Sequence, residues 1–82
     1  MNIVLIDAKK LAEKSSAHEY LKALFAFPDY YGKNLDALYD CVSERAGTTV
    51  IFQGKADGYA ARVLSVLEEC AHDRTIKLIC RQ

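Results

Sequence analysis

Three short runs rich in β-branched and leucine side chains punctuate the chain, at 2–6 (NIVLI), 48–53 (TTVIFQ) and 75–80 (TIKLIC). Segments with apolar residues at helical spacing separate them. Strands that alternate with helices favour a parallel sheet covered by helices, so this alternation constrains the fold more than any other feature. The first run reads as a strand buried on both faces, ended by the polar residues 7–10. Ser16-Ala17-His18-Glu19 has the form of a capping box, which starts a helix near Ala17. Tyr20, Leu21, Leu24 and Phe25 continue it, and Pro28 stops it. Asn34 is a good N-cap for a second helix over 35 to about 44, with Gly47 as the breaker beyond. Asp57 can cap a third helix over about 58–71, whose stripe is Tyr59, Ala60, Val63, Leu64, Leu67, Cys70 and Ala71. The order β-α-α-β-α-β predicts an α/β fold, a small three-stranded parallel sheet covered by helices. No repeat or linker interrupts it, so residues 1–82 read as a single domain.

Charge then narrows the function. Eleven basic and eleven acidic side chains cancel. A general nucleic-acid binder needs a basic surplus to displace counterions, so that class is disfavoured, as is a membrane-surface protein. The apolar run at 3–6 is too short for a signal peptide or a membrane span, which predicts a cytoplasmic chain. Cys41, Cys70 and Cys80 are odd in number and form no C-x-x-C pair. They read as reduced thiols used as small hydrophobes rather than as disulfides or metal ligands. No metal or cofactor is expected. His18 reads as a surface residue in the first turn of its helix, and His72 as a helix-end residue favoured by the dipole.

The second helix is the informative segment. On a helical wheel Leu35, Leu38 and Val42 cluster as a core face with Cys41 at its edge, and Asp36, Tyr39, Asp40 and Ser43 lie opposite. Asp36 and Asp40 are four apart, so their carboxylates repel one another. Tyr39 sits between them, where core burial does not account for it. Residues 29–44 hold four acids (Asp29, Asp36, Asp40, Glu44) against one Lys33, before Arg45 follows. Such a face suits a strongly positive partner. The alternative is a solvated helix face carrying a tyrosine, with Asp36 favoured simply by the helix dipole. An acid/base pair formed by Asp36 and Asp40 would need a pocket to shift a pKa, and nothing in the sequence supplies one.

The stretch Phe27-Pro28-Asp29-Tyr30-Tyr31-Gly32-Lys33-Asn34-Leu35-Asp36-Ala37-Leu38-Tyr39-Asp40-Cys41 closely resembles the barstar family, intracellular inhibitors of barnase-type ribonucleases. The remaining elements follow in the same order along the chain. The resemblance implies a binding module and no enzyme. It implies a one-to-one complex with a basic, extracellular-type ribonuclease, without direct nucleic-acid or membrane binding. Asp40 matches the aspartate that takes the place of an RNA phosphate, and Asp36 the aspartate that pairs with a basic group. Tyr30 matches the loop tyrosine of the cleft, Asn34 a polar contact, Tyr39 the helix aromatic and Ser43 a small hydroxyl residue. The last-helix acid matches Glu69, with Glu68 as the fallback. Tyr31 is expected to pack under the loop, Gly32 to supply a positive φ, and Cys41 to pack. Lys33 stands where the family often has an acid, and Arg45 where it has an aromatic. A barstar-like scaffold that binds a different toxin or a regulatory protein is the alternative reading.

Overall fold

β-Branched runs pair most readily when both neighbours are strands, and 48–53 has that central place. In the computed structural model, which describes residues 2–81, β2 (Thr48–Gln53) lies between β1 (Asn2–Asp7) and β3 (Ile76–Arg81), parallel to both. Met1 and Gln82, the outermost residues of the expected domain, lie outside that range. The register sets Val4 beside Val50 and Val50 beside Leu78, then Ile6 beside Phe52 and Phe52 beside Cys80. Side chains alternate across a sheet, so one face gathers Ile6, Val50, Phe52 and Ile76. These join Leu21 and Phe25 of α1 (Lys14–Phe25), Leu38 and Val42 of α2 (Leu35–Ser43) and Val63 and Leu67 of α3 (Tyr59–His72) in one core.

The other face is open. Ile3 is 61% exposed and Leu5 48%, with Ile79 exposed beside them. The expectation of a first strand buried on both faces is therefore wrong: the core lies on one side of the sheet. Cys80, expected to serve as a small hydrophobe, is likewise exposed near the sheet's end, whereas Cys41 and Cys70 are buried free thiols.

Several local signals are overridden by tertiary structure. A 3-10 turn at Ala8–Leu11, capped by the Asp7 carboxylate on the Lys9 amide, buries Leu11 and delivers the chain early to α1. That helix begins at Lys14, and Glu13 accepts its first backbone bond, from Ala17 at 2.8 Å. Ser16 thus falls inside the first turn, its hydroxyl donating to the Glu13 carbonyl rather than capping. Asp57 does not cap α3 either. Gly58 takes the N-cap position at φ 59°, a left-handed conformation that favours glycine, and no side chain caps the helix.

His18 corrects the sequence reading most sharply. It is fully buried, and its ring nitrogens lie 2.6 Å from the Tyr31 hydroxyl and 2.6 Å from the Tyr59 hydroxyl. Burial first, and then the Lys14 ammonium, hold the imidazole below its ordinary value of 6.5. The unfolded chain therefore takes up this proton more readily than the folded one. The stabilisation is complete above the unfolded value and is lost as pH falls from there through the lower folded value. The denaturant midpoint should fall between about pH 7.5 and about pH 5.5, before ordinary carboxylates titrate. A flat midpoint in wild type, or an equal fall in His18→Gln, would contradict this assignment.

Candidate functional site

The site begins where α2 starts. Asn34 is extended (φ −139°, ψ 173°), and its side-chain oxygen accepts the Ala37 amide at 2.7 Å. Its amide nitrogen donates to the Gly32 carbonyl at 3.3 Å. The sequence-predicted contact residue is thus first a helix cap. Asn34→Ala should cost about 1 kcal/mol, read as a melting temperature lower by about 4–8 °C. The positive φ expected of Gly32 falls instead on Lys33, at 55°. Gly32 instead makes a close approach: a Cβ there would lie 3.3 Å from the Ala37 Cβ, a tight contact that the neighbour would have to ease.

Along α2, Leu38, Cys41 and Val42 are buried, Leu35 is half-buried, and Asp36 and Asp40 are exposed. Among the described residues neither aspartate enters an ion pair. Tyr39 lies between them but is half-buried against the edge of the core, so packing does account for much of it. Its hydroxyl donates to the Asp73 carboxylate at the end of α3, and that bond raises the phenol above its usual pKa. Ser43 turns toward α3, its hydroxyl oxygen 3.9 Å from the Cys70 sulfur. Leu35, Asp36, Tyr39 and Asp40 line a shallow groove of about 310 Å³ whose far wall is Val66 and Glu69 of α3. Glu69, not Glu68, is therefore the last-helix acid on this groove. On its other side Asp36 borders a depression with Lys14, Tyr59 and Arg62.

The loop before α2 is tied down on both flanks. Tyr30 is 79% exposed whereas the adjacent Tyr31 is only 4% exposed, as expected of Tyr31. Lys22 of α1 lies 3.5 Å from Asp29, and Glu19 pairs with Lys33. Arg45 donates to the Ala26 carbonyl at 3.1 Å and sits 5.9 Å over the Phe27 ring. The two cations that depart from the family pattern thus have partners within the chain. Tyr30 projects beyond these ties, on the loop that leads into the acidic groove.

Chemically, the surface offers three exposed carboxylates with aromatic and polar neighbours on a rigid helix pair. Burial pushes the Cys41 thiol up, away from nucleophilic character. No cluster of three or more His, Cys, Asp or Glu side chains suited to a metal occurs among the described residues. Nor is any helix among them long and apolar enough to cross a membrane. Sequence reasoning missed His18 and Asp73. His18 stands three and seven residues before Leu21 and Phe25, on the apolar stripe. Asp73 is an acid at the C-cap of a helix, the end where the dipole disfavours it, which points to a tertiary partner.

A family model described as "Barstar (barnase inhibitor)" matches residues 1–81. A Bacillus subtilis (strain 168) protein, named "Putative ribonuclease inhibitor YrdF", is 44% identical over 43 residues, covering 52% of this chain and 47% of that protein. The match thus spans about half the length of that relative.

Proposed function

The chain belongs to the barstar family of barnase inhibitors, and on that premise we propose that it binds and blocks the active site of a barnase-type ribonuclease. The complex has one inhibitor to one nuclease and forms in the cytoplasm of the producing cell. Asp40 takes the place of an RNA phosphate among the cationic groups of the cleft, and Asp36 and Glu69 flank it. Tyr30 enters from the loop; Tyr39, Asn34 and Ser43 support the helix surface.

One observation carries this reading. The groove between α2 and α3 brings Glu69, far along the chain, onto one surface with Asp36, Tyr39 and Asp40. A nuclease cleft is basic because its substrate is a polyanion. Carboxylates held on a packed helix meet it without the entropy cost of ordering a loop. Tyrosines add broad apolar area with a polar tip. Lys14 and Arg62 beside Asp36 make that end of the surface mixed in sign, so the negative field is least offset around Asp40.

The test is an RNA-cleavage assay. Titration of the chain into a barnase-type ribonuclease should remove activity linearly, to an endpoint at equal moles. Full cleavage in a several-fold excess of the chain, with the nuclease of its own genome as well, would direct attention to another toxin or a regulatory protein as the partner.

A further inference from the structure

His18 has a position that core packing alone does not explain. An apolar side chain would fill the same space without burying two polar nitrogens. Both nitrogens are instead satisfied, and by tyrosines from different parts of the chain: Tyr31 from the loop before α2 and Tyr59 from α3. Three segments, α1, the loop and α3, thus meet at one imidazole.

We infer that His18 is a positioning residue: through Tyr31 it fixes the loop that presents Tyr30 and leads into α2. The loop's other polar ties are local or lie at the surface, the Asn34 amide on the Gly32 carbonyl and the Arg45 guanidinium on the Ala26 carbonyl included. The Tyr31 amide donates to the Pro28 carbonyl at 3.0 Å. Glu19 and Lys33 are both exposed, and the half-buried Lys22 pairs with a fully exposed Asp29; pairs open to solvent contribute little. The bond at the Tyr31 hydroxyl is buried, where a hydrogen bond is stronger and more directional. Tyr30 and Tyr31 are neighbours, one exposed and one buried, so holding the second sets the direction of the first. Tyr59 anchors the opposite nitrogen to α3, the helix that also carries Glu69. His18 thereby ties the loop that leads into α2 to α3, the helix that forms the far wall of the groove.

The surroundings favour the neutral ring. Lys14 approaches from α1; Tyr59 and Arg62 stand on α3; Tyr31 comes from the loop with Cys41 of α2 beyond it. A neutral imidazole supplies one donor and one acceptor to the two hydroxyls. What the loop meets rests on the proposed function; that His18 orders the loop does not.

The first measurement therefore uses the free protein. In His18→Gln, amide exchange at Tyr31 and at Ala37 should quicken about tenfold relative to the Val50 and Phe52 amides of β2. Tyr59→Phe, which removes a single oxygen, should move the same amides in the same direction and covers the case in which His18→Gln does not fold. Changes that track β2 in step would make His18 an ordinary core residue and overturn the inference. The second measurement is dissociation from a barnase-type ribonuclease at about pH 8, expected to quicken about tenfold in either variant with the equivalence point unchanged. If wild type fails to inhibit, the proposed function falls while the exchange result still stands. If wild type inhibits and both variants dissociate at its rate, His18 does not position the loop for binding.

Discussion

Replacing Asp40 with alanine should weaken binding to a barnase-type ribonuclease by roughly 2–5 kcal/mol. That corresponds to about 30-fold to several thousand-fold in Kd. The loss is large because a cleft that has shed its water is left with an unpaired cationic group. The free protein should behave in the opposite way. Asp40 is exposed, has no ion-pair partner among the described residues, and faces a like charge one turn away at Asp36. Removing it relieves a repulsion of a few tenths of a kcal/mol at most. The denaturant midpoint should therefore hold or rise slightly while affinity collapses. Asp36→Ala should cost less than Asp40→Ala, since Lys14 and Arg62 already stand beside Asp36. Inhibition titrations and urea melts on the same preparations read both quantities. Unchanged Kd in Asp40→Ala would remove the phosphate-mimic role.

Phe52→Ala should do the reverse. Phe52 is 1% exposed on the central strand, with Ile6 and Cys80 in register on either side. Truncating a buried phenylalanine costs about 3–5 kcal/mol through lost transfer energy and the cavity left behind. Small domains are typically stable by only about 5–15 kcal/mol in total. The melting temperature should fall by about 12 °C or more. Phe52 lies outside the candidate groove, so the folded fraction of the variant should dissociate from a ribonuclease at the wild-type rate. A melting temperature within a few degrees of wild type would mean that the core relaxes around the gap far better than its packing suggests.

What the sequence made legible follows the range of the forces involved. Thr48–Gln53 was readable to the residue because β-branched composition and a flanking glycine are local signals. The α2 start was readable because Asn34 caps within three residues of itself. The third strand shifts by one residue, to Ile76–Arg81. The Ser16–Glu19 box and the Asp57 cap failed where the chain was delivered to its helix by structure outside the window. His18 and Tyr39 were misread for one reason: their partners, Tyr59 and Asp73, lie far along the chain. At the candidate site Asp36 and Asp40 were visible as the polar side of a patterned helix, whereas Tyr30 was pointed to only by the resemblance. The choice of Glu69 over Glu68 needed the geometry of two helices together. The open sheet face was invisible because an unbroken apolar strand reads alike whether one face or both are covered.

The parallel order of the sheet also sets when the molecule becomes competent. Val4 finds its neighbour only in Val50, and Val50 its second neighbour only in Leu78; such distant pairings form slowly. The acidic helix leaves the ribosome early, yet one wall of its groove and the carboxylate that receives the Tyr39 hydroxyl belong to α3 and its cap. A nascent chain thus displays its charges before it owns a finished surface, and the groove is complete only after translation has passed Asp73.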